Sequence, residues 1–212
     1  MATLDGLQVK RYMENRPLPR FRGDLGTLLQ ILSNHHKAVN LILTKWDILE
    51  DHYTFRQVVE RLLQLDEFAA FVESQRIVGV CRLIPVSSVG PGFVREDGNA
   101  MRKISGKVIN PVRVEVPIAC ALPDALTAQR WRPGPPTPSR LLDWAKVMKL
   151  NLGLLQFDFS LIGTPPATTM TAAQSTPAAI SQLVRYCVGR LGRLESDFPE
   201  SDLVRFMYSR EV

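Results

Sequence analysis

The chain is short of the residues that most often organise small sites: only three histidines and three cysteines occur among 212 residues. Cys81, Cys120 and Cys187 stand far apart in apolar stretches, without zinc-type spacing. Reduced core cysteines of a cytosolic protein are therefore expected, rather than a disulfide framework or a metal knuckle. His35 and His36 are adjacent, so on a helix they point in different directions and do not share a metal; a cationic helix end is their expected role. No apolar run is long enough to span a bilayer, and Met1 to Gly26 holds no continuous apolar stretch of the signal-peptide kind. A cytoplasmic protein without a membrane segment is expected. Charge of one sign is also missing as a block. The formal net charge is +5, from 26 Lys+Arg and 21 Asp+Glu, scattered and not interleaved with aromatics, which gives no reason to expect nucleic acid as a partner. No Ser/His/Asp or Cys/His set has local support, and there is no internal repeat.

What is present suits a globular α/β chain, with 45% apolar and 22% charged residues. Met1 to Gly6 reads as a strand end followed by an Asp-Gly turn. The Pro/Arg-rich stretch from Arg16 to Arg22 reads as a loop. Asp24 is placed to cap a helix reaching about Asn34, with Leu25, Leu28, Leu29 and Leu32 on one face. Ala38 to Leu43 suits a buried parallel strand, Tyr53 to Ser74 one long amphipathic helix, and Ile77 to Val86 a second strand. Strand, helix, strand at this spacing implies a right-handed crossover in a parallel sheet. Gly90 to Gly106 reads as a loop. Pro117 is placed to open a helix within Val112 to Ala121, and Pro123 to interrupt it or to start another. Residues 132–139, Arg-Pro-Gly-Pro-Pro-Thr-Pro-Ser, have linker composition, flanked by Trp131 and Trp144 as packing anchors. They divide a first unit, 1–131, from a mainly helical extension, 140–212. In the extension a helix is expected over 140–150, a strand over 154–161 and a loop over 164–176. A helix capped by Thr176-Pro177 follows, and then a short helix over Ser201 to Tyr208.

Two stretches carry chemistry. The first strand runs directly into Thr44-Lys45-Trp46-Asp47, and the second ends in Pro85-Val86-Ser87-Ser88-Val89-Gly90. Each alone is an ordinary strand-to-loop turn. Together, in this order and with one amphipathic helix between them, they resemble the two base-reading motifs of Ras-like (TRAFAC-type) P-loop GTPases: Thr-Lys-x-Asp, a variant of Asn-Lys-x-Asp, and the Ser-Ala-Lys-type loop. Asp5-Gly6 after an apolar strand end is similar to the same region of the bacterial double-GTPase group. The resemblance spans about residues 1–121, and its specific residues are Thr44, Lys45, Asp47, Ser87 and Ser88.

The resemblance implies guanine recognition. Asp47 would accept hydrogen bonds from guanine N1–H and the 2-amino group, a donor pair that adenine lacks on that edge. The Lys45 stem would lie along the purine ring. The Ser88 backbone N–H would meet O6, with Ser87 bracing the loop and Val89 standing where the family has Lys. The fold implied is a partial parallel-sheet, three-layer P-loop GTPase-like domain, with GTP or GDP as a weak or vestigial ligand.

The phosphate side of that chemistry is missing. Nowhere does Gly-x-x-x-x-Gly-Lys-Ser/Thr occur, nor Asp-x-x-Gly at switch-region spacing, so no nest of N–H groups and no Mg²⁺-binding hydroxyl is expected. The expectation is a chain truncated within the domain, unable to hydrolyse GTP alone. Mg²⁺ would bind only if the missing half were supplied by an upstream polypeptide or a second GTPase-like domain. The competing expectation is a non-catalytic scaffold module with a degenerate pocket. The first reading requires Asp47 and Ser87–Val89 to lie side by side, because parallel strands end together. It also expects an open strand edge, so the isolated chain should self-associate in sedimentation experiments; a clean, highly stable monomer would mean that the C-terminal region covers the gap.

Overall fold

The computed structural model describes residues 1–16, 20–33, 37–97, 100–130 and 172–210. Three parallel strands form the centre, in the order β1 (Ala2–Asp5), β2 (Val39–Thr44), β3 (Cys81–Pro85). Leu4 pairs with Leu43, and Leu43 pairs with Pro85, so all three strands end at one level. Strand alternation sorts the side chains to two faces. Leu41, Leu43 and Leu83 enter the main core, whereas Ile42 and Ile84 pack into a second cluster with Val116, Cys120 and Leu194. Both faces are thus covered by helices, as expected of a parallel sheet.

The first face is covered by helices α1 (Gly6–Met13), α2 (Phe21–Ser33), α3 (Phe55–Leu62) and α4 (Asp66–Ser74). Helix α5 (Val116–Arg130) and α6 (Ala172–Asp197) cover the second. The short α7 (Leu203–Ser209) returns to the first face, where Leu203, Val204 and Phe206 join the main core. Residues near the C-terminus are therefore part of the same packed body as β1–β3. The linker at 132–139, Trp131, Trp144, the helix over 140–150 and the strand over 154–161 fall outside the described residues, as do His35 and His36.

Several expectations need correction. Gly6 to Met13 is a helix rather than a turn leading into a loop, and Asp5 caps it by accepting a hydrogen bond from Leu7 N (3.0 Å). Asp24 sits in the first turn of α2, not at its cap. The single helix over 53–74 is two, because Leu65 takes an extended conformation. That break lets Phe68, Phe71 and Val72 reach the same core as Val58, Val59 and Leu62. The start of α3 is set by Thr54: Thr54 and Gln57 bond reciprocally, side chain to backbone N–H, at 3.2 and 2.9 Å. The second strand begins only at Cys81, after a 3₁₀ turn at Gln75–Ile77. The loop over 90–106 contains an antiparallel pair, β4 (Val94–Asp97) and β5 (Ala100–Lys103). Helix α5 runs through Pro123, and α6 begins at Ala172, so Pro177 lies inside it rather than at its start.

A proline within a helix costs about 3 kcal/mol, and α5 has compensation next to Pro123. Asp124, only 1% exposed, accepts from Arg82 Nε of β3 at 2.7 Å. Asn40 of β2, with its amide nitrogen turned to Asp124, donates to Oδ2 at 3.0 Å. Glu195 of α6 lies 2.9 Å from Arg82 Nη1 as an ion pair without hydrogen-bond geometry. Burial works against the Arg82 charge, yet Asp124 and its neighbours hold the guanidinium pKa above the ordinary value. Burial likewise pushes the Asp124 carboxyl up against the pull of Arg82. The three cysteines are free and buried, and burial pushes the Cys120 thiol to about 12. Among the described residues no helix is long and apolar enough to cross a membrane.

Arg82→Met and Asp124→Leu should each lower stability by about 3–5 kcal/mol, since each strands a buried charge. The double variant should lose clearly less than the sum. Urea unfolding of the four proteins measures this, and strictly additive losses would rule the pair out as the link between β3 and α5.

Candidate functional site

The site forms where β2 and β3 end. After Thr44, the chain turns sharply: Lys45 adopts a left-handed conformation (φ 54°), and Trp46–Ile48 form a 3₁₀ turn. Trp46, the wildcard position of the motif, is the anchor of that turn. It is buried, and its ring meets Phe55 and Phe198 edge-on at 5.6 and 6.1 Å between centroids. The Trp46 backbone N–H donates to Val86 O (3.0 Å), and Val86 N donates to Leu43 O (2.9 Å). The β2 loop is thereby stitched to the end of β3.

The stitching places Asp47 against Ser87. Ser87 Oγ donates to Asp47 Oδ1 at 2.5 Å, and both residues are buried. Ser87 Oγ also accepts from Gly90 N (2.8 Å) and Val89 N (3.3 Å), which folds the loop back over Ser87. Ser87 and Val112 exchange two backbone hydrogen bonds, and Asn110 N donates to Val89 O (2.9 Å). Gly90 (φ +81°) is required there, because a Cβ would come within 2.1 Å of Asn110 O. Ser88 is left exposed at the tip, and none of the hydrogen bonds between described residues uses its N–H.

On the other side, the end of β1 closes against Thr44 and Lys45. Thr44 Oγ1 donates to Leu4 O (3.1 Å). The Lys45 ammonium lies 2.9 and 3.0 Å from the two oxygens of Asp5. Gly6 follows directly, and a Cβ on it would meet Thr44 O at 2.1 Å. Partial burial pushes the carboxyl of Glu50, itself surface-exposed, up, and Arg113 and a hydrogen bond from Trp46 only partly offset this. Arg113 also lies over the Phe198 ring, 4.5 Å from its centroid.

All six expected residues, Thr44, Lys45, Asp47, Ser87, Ser88 and Val89, thus gather at one end of the sheet. Ser87 holds Asp47 directly as well as bracing its own loop. Asp5, Gly6, Trp46, Gly90 and Phe198 also build the site without having been chosen for it. The first two carried a signal, an Asp-Gly pair at a strand end; Phe198 carried none, being about 150 residues from the motif. A cavity of about 710 Å³ lies elsewhere, between Arg56 and α7, and touches none of the six residues. Its three arginines are matched by Glu195, Glu200 and Asp202. Among the described residues no group of three or more His, Cys, Asp or Glu is placed to hold a metal. Comparison of the chain with protein-family models, with curated proteins and with solved structures finds no match.

Ser87→Ala removes one donor and one acceptor from a buried network, so it should cost about 1–3 kcal/mol in chemical denaturation. The neighbouring Ser88→Ala, at an exposed position, should stay within about 0.5 kcal/mol of the parent. Equal effects of the two would mean that the Ser87 hydroxyl does not hold the two loops together.

Proposed function

We propose that the chain is the guanine-recognising half of a P-loop GTPase-like domain, which binds guanine compounds weakly through the base and does not hydrolyse GTP by itself. The observation that carries this reading is the Asp47–Ser87 hydrogen bond at the shared end of β2 and β3, beside a Ser88 N–H that no hydrogen bond between described residues uses. An acceptor pair and a single donor, held on two linked loops, complement guanine N1–H, N2–H and O6. The carboxylate oxygen that accepts from Ser87 has a second lone pair, so Asp47 keeps its brace while accepting from the base. Ligands of open parallel sheets bind outside the carboxyl ends of the strands, where these groups lie.

The phosphates gain little here. The 212 residues contain no Gly-x-x-x-x-Gly-Lys-Ser/Thr, and in GTPases that loop and Mg²⁺ hold most of the ligand's charge. In this reading Mg²⁺ and strong GTP or GDP binding require a second polypeptide that supplies the loop. A base edge and a stacking stem alone support binding on the order of millimolar, about −4 kcal/mol.

A second reading has its own observation. Asp47 is only 4% exposed, as befits a carboxylate whose task is to tie two loops together in a non-catalytic scaffold module.

Calorimetric or NMR titration separates the two. Guanine compounds should bind more tightly than their adenine counterparts, with little effect of Mg²⁺, and Asp47→Ala should abolish the preference. Phosphate release from GTP should stay at background. Equal binding of both bases, untouched by Asp47→Ala, selects the scaffold, and micromolar Mg²⁺-dependent GTP binding would reveal a phosphate site in this chain.

A further inference from the structure

Two positive features stand at the β1 side of the site: the Lys45 ammonium and the N-terminus of α1. Both are already engaged by one carboxylate. Asp5 takes the Lys45 ammonium at 2.9 and 3.0 Å and accepts from Leu7 N, in the first turn of α1, at 3.0 Å. Gly6 brings this carboxylate close, since its backbone packs where a Cβ would lie 2.1 Å from Thr44 O. The pair is half-exposed on the surface, with side chains 41% (Asp5) and 45% (Lys45) accessible, so a ligand can reach it. The rest of the loop adds no spare positive charge, as Asp47, Glu50 and Asp51 follow Lys45 within six residues.

The order of the strands decides what passes this pair. Guanine carries its N1 and N2 donors on the six-membered ring and its sugar on the five-membered ring, at the far side. With the donor edge on Asp47 and O6 at Ser88, next to β3, the sugar points away from β3. It therefore points across β2 towards the end of β1, where Asp5 stands. Any phosphates on that sugar would approach a carboxylate and a lysine already neutralised by it.

We propose that Asp5 is a built-in anion that sets the ligand class of the site, selecting an uncharged guanine base or nucleoside over a phosphorylated nucleotide. The proposal rests on the guanine reading above and adds a specificity-determining residue to it. Asp5 acts through Lys45, holding its stem in place while denying its charge to phosphate.

The test is Asp5→Asn in the full chain. Asparagine caps helices as well as aspartate, so α1 keeps its start while Lys45 loses its counter-ion. Guanosine, GMP and GTP are titrated into the parent and the variant at low and high salt. The parent should bind guanosine at least as tightly as GTP. Asp5→Asn should leave guanosine within about twofold and raise the GTP-to-guanosine affinity ratio about five- to tenfold at low salt, and the gain should shrink at high salt. A merely structural Asp5 would weaken all three ligands together and leave the ratio and its salt dependence unchanged. Asp47→Ala separates the levels. If guanosine binds, Asp47→Ala abolishes its advantage over adenosine, and the ratio still ignores Asp5→Asn, the Asp5 proposal is overturned and the guanine reading stands. If guanosine shows no Asp47-dependent binding, both fall.

Discussion

Strand β2 is hydrogen-bonded on both sides, and in the same direction each time. That constraint governs the rest of the molecule. Parallel strands cannot be joined by tight hairpins, so each connection crosses a face of the sheet and carries helices with it. Both faces are then buried, which accounts for strands as apolar as Leu41-Ile42-Leu43 and Leu83-Ile84. Because the strands run together, Asp5, Thr44 and Pro85 finish side by side, and three separate stretches of sequence meet at one end.

The two ends of the sheet use polar residues differently. At the amino end, Arg82 and Asn40 are buried and both donate to the buried Asp124, binding β2, β3 and α5 as a unit. Such a cluster is costly to break and specifies how the helices of the second face dock. At the carboxyl end, Asp47 and Ser87 are buried but Ser88, Lys45 and Asp5 reach solvent. The Asp47–Ser87 bond lies beneath this exposed rim and ties the two loops together.

Trp46 joins the packing of the core to the shape of the loop after β2. Its ring sits with Phe55 of α3 and Phe198 from the chain between α6 and α7. Trp46 packs inward between Lys45, which is left-handed and exposed, and Asp47, which is buried. The C-terminal residues therefore support the site from behind, although they lie beyond the Pro-rich stretch that looked like a boundary.

Local pattern sufficed for the buried strands, because an apolar run of β-branched and aliphatic residues has few other homes, and for the motif residues, because they follow those strands directly. The amphipathic stripe of α3 and α4 was equally plain, but its break at Leu65 was not: period alone does not say where a core stops accepting a straight helix. Helix α1 was hidden because its eight residues are weakly apolar and its cap, Asp5, looked like a turn residue. Long-range geometry decided the rest. The Arg82–Asp124 pair joins residues 42 apart, and the Ser87–Asp47 bond joins residues 40 apart. Sequence determined which side chains could donate, accept or pack; only the parallel register, by bringing distant strand ends to one level, decided which of them would meet.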